Sequence, residues 1–462
     1  MRPAGWRSNF CPDPRVTAPG QAGSNDRRLV RPLSGDLAHR LVGTGGRGGV
    51  VRLLQHQYKA DRTGEPMTTS RAGELLRRPG DPQRATFLEL FFDLALIFAL
   101  MQLSRGLIEN LAWSGALQTV VLLLAVWWVW FTTAAITDRF DPQRPAIQLL
   151  VIATLVGSLV MGAALTEAFR DTGLIFAGAT VVIHIGRGLF LLIALRGHEM
   201  RRTVGRLLFW SGVSAVPWIA GALAHGTTRG ALWTLAVAVQ YAAYALGFPT
   251  PGLGRAPRSE LPNVAEHLAE RYRQFFIIAL GELILITGLA FNRSGFAADR
   301  SAAFVVSIAT TVLLWRIYIY RAGELLSAAI AAAADPARLA RSASIAHLVM
   351  VAGIVVTAAG NELVIAHPFG HTQPAWIAVI LGGPALFLAG RARFEYAVFG
   401  RVSRDRPIGL LVLAALTPAM LHVPPLLVAL AATAVLAGIA ISDTTRARGH
   451  PPEQPSPPGA PS

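Results

Sequence analysis

Thr86-Phe-Leu-Glu-Leu-Phe-Phe-Asp-Leu-Ala-Leu-Ile-Phe-Ala-Leu-Met-Gln-Leu-Ser104 is the stretch that decides the fold. It is long and apolar enough to cross a bilayer as a helix, yet it carries Glu89 and Asp93. A carboxylate in hydrocarbon costs about 3 kcal/mol or more, so such groups persist where they face the bundle interior, a polar partner or water. The two acids lie one helical turn apart on one face. They are therefore candidates for an ion or proton site.

The whole chain has the composition of a membrane protein. Of its 462 residues, 53% are hydrophobic and 15% are charged, which is too apolar for an ordinary soluble chain. Apolar runs of about 20 residues recur from residue 87 to Ser442, and about twelve of them are long enough to span. The predicted spans are 87–108, 115–137, 145–167, 173–195, 203–224, 230–248, 268–291, 301–320, 345–367, 374–394, 408–422 and 423–442. The predicted fold class is an all-α integral membrane protein.

The domain organisation follows from these spans. Residues 81–248 and 268–443 are predicted to form two membrane halves of six helices each, joined by a cytoplasmic linker over residues 249–267. Residues 1–80 are predicted to be a disordered basic leader, and residues 444–462 a disordered Pro-rich tail. Met67 opens a short basic lead into the first span, so residues 1–66 are expected to be dispensable, as an over-extended start. The last two spans are short, and a re-entrant hairpin is the alternative there.

Arginine placement predicts the orientation in the membrane. The connections after even-numbered spans are rich in arginine, whereas those after odd-numbered spans hold only Arg105, Arg170, Arg229, Arg293 and Arg300. Short loops that stay in the cytoplasm keep their Arg and Lys residues. Both termini are therefore predicted to be cytoplasmic, and the protein is placed in the bacterial inner membrane as a multi-pass protein.

Several function classes are excluded or disfavoured. The formal charge of +15 reflects basic loops next to an anionic leaflet rather than nucleic-acid binding, since no binding module is recognisable. Cys11 is the only cysteine, which excludes a structural disulfide or zinc held by cysteines. No phosphate-binding loop of the Gly-x-x-x-x-Gly-Lys type occurs, which rules out an ATP-driven pump in one chain. His367 and His371 have helical-turn spacing, but Pro368 lies between them, so no metal site and no cofactor are predicted.

The two halves share a faint internal repeat. The spacing of Arg84, Phe87 and Asp93 matches that of Arg273, Phe276 and Glu282. Three further matches follow in the same order: aromatic clusters in spans 2 and 8, Glu167 and Glu362 at the ends of spans 3 and 9, and Arg187 and Arg391 in spans 4 and 10. With six spans each, the halves would have the same orientation, related by an axis along the membrane normal. Convergence of helix ends on Arg, Trp and Glu is the alternative.

Two stretches carry a family resemblance. Thr86-Phe-Leu-Glu-Leu-Phe-Phe-Asp-Leu-Ala-Leu-Ile-Phe-Ala99 resembles the opening signature of the bacterial low temperature requirement protein A family. His267-Leu-Ala-Glu-Arg-Tyr-Arg-Gln-Phe-Phe-Ile-Ile-Ala-Leu-Gly-Glu282 is similar to its second signature, and the resemblance covers roughly residues 70 to 445. It implies a multi-pass inner-membrane protein. It supplies no established substrate or catalytic residue.

The intramembrane polar residues give the candidate site. Asp93 and Glu282, with Glu89, are the candidates for binding an ion or proton, and Arg187, His184 and Arg271 are those for counter-charge or proton relay. Arg187 is expected to pair with Asp93 or Glu282, and Glu89 to reach water at the cytoplasmic interface. The alternative is that these acids only join helices together. No catalytic residue is assigned.

Three functions remain open from the sequence. The leading hypothesis is a secondary transporter or ion-conducting protein that uses its intramembrane carboxylates. The second is a membrane-embedded lipid- or isoprenoid-handling enzyme, with the aromatic cluster of span 2 as its apolar surface. The third is a non-catalytic envelope scaffold for adaptation to cold. The expected partners are membrane lipids and a small ion or proton, not nucleic acid, and the sequence does not set the oligomeric state.

Overall fold

The described part of the protein is entirely helical. A computed structural model describes residues 73–77, 85–256, 265–320, 322–449 and 454–458, with only the backbone at 265, 266, 322–324 and 449. These ranges contain thirteen α-helices and no β-strand. The helices are α1 Phe87–Glu109, α2 Trp113–Arg139, α3 Pro145–Ala163, α4 Gly173–Ala194, α5 Arg201–Leu223, α6 Gly226–Ala245, α7 Ala265–Arg293, α8 Ala298–Ile319, α9 Ala322–Ala332, α10 Pro336–Ala366, α11 Pro374–Phe399, α12 Asp405–Ala419 and α13 Pro425–Gly449.

Ten of these helices are long and apolar enough to cross a membrane. They are all except α6, α9 and α12, so ten of the twelve predicted spans meet this criterion. Large apolar side chains such as Val182, Val216 and Leu411 are about 70% exposed on their outer faces. A soluble protein rarely exposes so much apolar surface, whereas lipid covers it at no cost. The multi-pass membrane class predicted from composition is therefore confirmed.

Local signals in the sequence set the helix ends. The Thr86 hydroxyl oxygen accepts a hydrogen bond from the Glu89 backbone N–H, and the Glu89 carboxylate accepts one from the Thr86 backbone N–H, which forms a capping box. Proline opens α3, α10 and α11 at their first helical position, where its missing N–H costs nothing. At the end of α11, Gly400 takes a left-handed conformation with φ of 66°. Capping therefore places Glu89 at the very start of the first span.

Both predicted disordered ends are partly ordered. Within the predicted leader, Gly73–Leu75 form one 3₁₀ turn, and the backbone N–H of Arg77 donates to the carbonyl of Arg139 at the end of α2. At the other end, α13 continues to Gly449, and Ser456 donates to the carbonyl of Val398. The predicted disorder therefore does not extend to residues 73–77 or 454–458. Residues 1–72, including the proposed start at Met67, lie outside the described residues.

A further helix occupies part of a stretch that the sequence left as a loop. The arginine-bearing connection between the predicted spans 8 and 9 contains α9, and α10 begins at Pro336 rather than near Ile345. The composition of this stretch is dominated by alanine, the strongest helix former, which explains why it is helical despite its polar ends. The first turns of α10 supply one wall of a large cavity.

Helices α10 and α11 approach each other through glycines. A Cβ added at Gly383 would collide with the Oγ1 atom and the backbone of Thr357, and one added at Gly353 would lie 2.5 Å from the backbone nitrogen of Phe387. Small residues let helix backbones meet closely inside a membrane, where packing is the main force between helices. This helix pair is therefore closely packed along its length.

Adjacent glycines on α11 provide a test of this packing. We expect Gly383→Ala to lower the free energy of unfolding of the detergent-solubilised protein by about 1 to 3 kcal/mol, because the new methyl group overpacks the contact with Thr357. Gly382 has open space at its Cβ position, so Gly382→Ala should leave stability unchanged or raise it. The melting temperatures of the two variants decide the matter. Equal effects would mean that α10 and α11 do not meet at Gly383.

Candidate functional site

Asp93 is held by a buried ion pair between α1 and α7. Arg271 donates from Nη1 to Oδ2 at 3.0 Å and from Nη2 to Oδ1 at 2.8 Å, and Trp130 Nε1 donates to Oδ1 at 3.0 Å. Asp93 and Arg271 are both 0% exposed. A two-pronged Arg–carboxylate contact is the strongest geometry such a pair can adopt. Asp93 is thus fixed by a charge partner and an indole N–H.

Glu89 lies one turn earlier, in the same cluster of charges. His267 Nε2 is 3.0 Å from its Oε1, and Arg271 Nε is 3.8 Å from the same oxygen. Its other oxygen accepts hydrogen bonds from the backbone N–H and the hydroxyl of Thr86. Glu89 is 1% exposed, so the expectation that it reaches water is wrong. Its neighbours on α7 and the ordered turn before α1 cover it.

The cluster extends to α2 through His267. His267 Nδ1 lies 3.2 Å from Asp138 Oδ1, so the imidazole bridges two carboxylates on different helices. Arg77 approaches from the segment before α1, with Nη2 at 3.2 Å from His267 Nε2 and Nε donating to the carbonyl of Thr137 at 2.8 Å. Three acids and three basic groups therefore meet at the junction of α1, α2 and α7. We call this group, Arg77, Glu89, Asp93, Asp138, His267 and Arg271, the ion cluster.

Glu282 is placed apart from the ion cluster. Its Oε1 accepts a hydrogen bond from Ser104 at 2.8 Å, and its Oε2 has no hydrogen-bond partner within the described ranges. Ser104 and Glu282 are 178 residues apart in the sequence, and so are Asp93 and Arg271. Because the separation is the same at both contacts, α1 and α7 run in the same direction. The two contacts are about three turns apart along both helices. Asp93 and Glu282 therefore lie at different depths and do not form one site.

Arg187 and His184 lie elsewhere, between α2 and α4. The Arg187 guanidinium donates to Thr133 Oγ1 at 3.0 Å, to Thr132 Oγ1 at 2.7 Å and to His184 Nδ1 at 3.0 Å. No carboxylate of the described residues is within salt-bridge distance of it. The expected pairing of Arg187 with Asp93 or Glu282 is wrong, and Arg271 takes that place. His184 and Arg187 are neighbours, as their spacing indicated.

Three members of the ion cluster were not singled out from the sequence: His267, Asp138 and Arg77. The sequence contains a pattern that points to His267: it lies four residues before Arg271 on α7, just as Glu89 lies four residues before Asp93 on α1. Two bases at that spacing match two acids on a parallel neighbour. No such pattern points to Asp138 or Arg77. In the part of the chain that is described, no three His, Cys, Asp or Glu side chains are placed to hold one metal ion.

A large cavity lies between α2 and α6 of the first half and α10 and α11 of the second. Its volume is about 780 Å³, and its walls carry the aromatic rings of Trp127, Trp128, Phe131, Tyr241, Tyr244 and Tyr396. Arg338, Arg341 and Arg393 also line it. A small neighbouring cavity shares Phe131 and Arg341 with it and is also lined by Asp138 of the ion cluster. The aromatic cluster of span 2 is therefore the wall of a cavity rather than packing alone.

These features define a polytopic helical membrane protein with a buried ion cluster joining its two halves. The family model of the bacterial low temperature requirement A protein matches residues 84–441. An uncharacterized protein of Rhizobium meliloti (strain 1021) is 36% identical over 313 residues, which cover 67% of this chain and 76% of the relative. The chain belongs to the bacterial low temperature requirement A family. No solved structure matches it.

The pairing of Asp93 with Arg271 can be tested by a double-mutant cycle. We expect Asp93→Leu and Arg271→Met each to lower the free energy of unfolding by about 3 to 5 kcal/mol, because each leaves the other charge buried without its partner. Asp93→Leu combined with Arg271→Met should recover most of this loss, since it removes both charges together. Thermal melting of the detergent-solubilised variants measures the coupling.

The partly exposed pair of Arg144 and Asp141 is the matched control. Arg144→Gln should change stability by about 1 kcal/mol or less, because water screens that pair. Additive losses in the Asp93 and Arg271 variants would contradict a direct ion pair between α1 and α7.

Proposed function

We propose that this protein is a secondary transporter that binds a proton at Glu282 in the seam between α1 and α7. The observation that carries the proposal is the isolation of this carboxyl group. It is 0% exposed, it has one hydrogen bond, from Ser104, and no cation of the described residues lies beside it. An ionisable side chain held within a membrane without a partner marks an ion or proton pathway more often than a structural contact.

The physical cost of an unpaired charge decides which ion Glu282 would bind. A buried carboxylate without a counter-charge is penalised by several kcal/mol, and protonation removes that penalty. The Ser104 hydroxyl can donate to the carboxyl oxygen, while the unpartnered Oε2 can carry the proton. A metal cation would need several more oxygen ligands than this site offers. The geometry therefore favours a proton over Na⁺ or K⁺.

The ion cluster has a different role in this proposal. Asp93 is fully paired with Arg271 and Trp130, so it is already satisfied and needs no further ion. In transporters built from two halves, alternating access is a rocking of one half against the other. The ion cluster would then be the charged joint about which the halves move, and Glu282 the group that senses the change of access. Arg187 is not part of this joint.

The aromatic cavity is the proposed solute site. It lies between the two halves, its volume of about 780 Å³ suits an organic molecule, and its lining includes three arginines, Arg338, Arg341 and Arg393, against one carboxylate, Asp335. Aromatic walls with a few charged groups are typical of small-molecule sites. Three arginines favour an organic anion. A proton bound at Glu282 would couple to the movement of that anion.

We further propose that the halves are repeats of one ancestral unit with the same orientation and that both termini are cytoplasmic. The parallel packing of α1 and α7 supports the shared orientation. A matching contact supports the repeat: Arg187 in α4 reaches Thr132 in α2, and Arg391 in α11 reaches the carbonyl of Ile317 in α8. The arginine-rich connections support the cytoplasmic termini.

Two other functions each have an observation in their favour. The aromatic lining of the large cavity would also suit an acyl or isoprenoid chain, which favours a lipid-handling protein. The complete pairing of Asp93 favours a scaffold in which the ion cluster only joins helices. Neither explains why Glu282 remains buried without a charge partner.

Proton uptake by proteoliposomes tests the proposal. The vesicles contain a pH-sensitive dye, a mixture of organic anions is added outside, and valinomycin with K⁺ collapses the membrane potential. After an external acid pulse, the lumen of vesicles that contain the protein should acidify faster than that of empty vesicles. We expect Glu282→Gln to reduce this rate to that of empty vesicles, because the amide cannot take up and release a proton.

Glu362→Gln is the matched control, because this acid lies in α10 near Arg293, away from the seam. Its rate should equal that of the unaltered protein. A rate for Glu282→Gln equal to that of the unaltered protein, or no uptake above empty vesicles by the unaltered protein, would overturn the proposal.

A further inference from the structure

A second, smaller cavity in the first half is built around the buried Arg187. Its volume is about 140 Å³, and α2, α4, α5 and α6 all contribute to its wall. Arg187, His184 and Gln240 line it, and each of these side chains is more than nine-tenths buried. Most of the remaining lining is apolar, including Leu191, Leu207 and Leu208, which are not used by the proposed transport site.

The partners of Arg187 differ from those of other buried arginines. Arg271 faces Asp93, and Arg391 faces Glu395 at 3.2 Å, so each has a carboxylate close by. Arg229 is buried without a carboxylate, but its guanidinium donates to five backbone carbonyls, three of them at the C-terminal end of α5. Arg187 has only the hydroxyls of Thr132 and Thr133 and the ring of His184. Neutral partners satisfy hydrogen bonds but do not balance the charge, which remains costly in a dry interior. An anion in the cavity would balance it.

The neighbouring polar groups are arranged to donate to such an anion. A guanidinium only donates, so His184 Nδ1 accepts from Arg187, and the ring proton must lie on Nε2. That Nε2 has no partner within the described part of the chain, and both amide atoms of Gln240 are also without one. Buried polar groups are normally satisfied, and each exception needs a reason. A bound acceptor would supply the partner for His184 Nε2–H and for the Gln240 amide N–H.

We propose that this cavity binds the headgroup of a singly anionic amphiphile, a carboxylate or a phosphate attached to an apolar chain. A volume of 140 Å³ holds about four or five water molecules, which is enough for one such headgroup. The leucines of α4 and α5 would take the first part of the chain. The shared chemistry is a compact anion beside apolar walls, and its source is either a free fatty acid or an anionic phospholipid.

Quenching of the fluorescence of Trp210 tests the site directly, since Trp210 lines this cavity and not the aromatic one, whereas Trp128 lines both. Trp128→Phe is therefore introduced into every variant that is compared. The probes are dibromostearic acid, a brominated phosphatidylglycerol and dibromostearyl alcohol, added to the full-length protein in a neutral detergent. We expect saturable quenching by at least one of the two anions and weaker binding of the alcohol, which has the same chain without the charge. The anion that binds more tightly identifies the source.

Arg187→Gln should weaken binding of that anion about tenfold or more, because charge-assisted hydrogen bonds are lost. Arg316→Gln is the matched control: it also removes one positive charge from a span, but Arg316 lies in α8 against Thr444 and does not line the cavity. This control should bind as the unaltered protein does.

Gln240→Leu keeps the test decisive if Arg187→Gln fails to fold. It removes two unpartnered polar atoms from a buried position, so we expect the ligand-free protein to melt at the same temperature or higher while anion binding weakens. If Gln240 had only a structural role, Gln240→Leu would leave anion binding unchanged. Equal binding of the alcohol and the anions, or anion affinity unchanged in both variants, would overturn the proposal. Because binding is measured at equilibrium, its outcome is independent of proton flux through Glu282.

Discussion

The ion pair between Asp93 and Arg271 is the interaction on which the rest of the structure depends. It joins the first helix of one half to the first helix of the other, deep inside the bundle, where neither charge reaches water. A charge removed from water must be balanced where it lies, so the pair fixes the depth of α7 relative to α1. Every other contact of the seam, including the one between Ser104 and Glu282, follows from that register.

The register explains why the two acids that match in the proposed repeat have different surroundings. Asp93 lies level with Arg271 and is balanced by it, whereas Glu282 lies about three turns further along, level with Ser104. One acid is thus a structural partner, and the other is a carboxyl group without a charge beside it. In the proposed mechanism, Asp93 therefore joins the two helices and Glu282 takes up the proton.

The sequence predicted the class of the fold well because bilayer thickness demands long apolar runs, and these are visible without any structure. The burial of Asp93 and Glu282 was predictable for the same reason. The partner of each acid was not, because pairing depends on how far one helix slides along another, and the sequence repeat suggested a symmetric arrangement. Arg187 was expected to pair with a carboxylate, but it donates instead to the hydroxyls of Thr132 and Thr133 on α2. The position of Glu89 near the cytoplasmic interface suggested exposure, yet Arg77, which follows the turn Gly73–Leu75, lies 3.9 Å from its carboxylate.

Arg187 and Arg391, which match each other in the proposed repeat, have different partners. Arg391 has Glu395 one turn further along α11, while Leu191 occupies the corresponding place one turn after Arg187 in α4. In the second half, the charge of Arg391 thus has a carboxylate on its own helix beside it. The absence of such a carboxylate leaves a charged cavity with unpartnered donors in the first. A bound anion there would complete the first half in the way that Glu395 completes the second.

The protonation state of Glu282 is the most direct measure of this mechanism. Infrared spectra of the protein in lipid at neutral pH, with carboxyl groups identified by isotope labelling, distinguish a neutral carboxylic acid from a carboxylate. We expect a carbonyl band of a protonated acid that disappears in Glu282→Gln, while Asp93 contributes only to the carboxylate bands. A Glu282 that is ionised at neutral pH, or a protonated band that belongs to Asp93, would contradict the division of roles between the two acids.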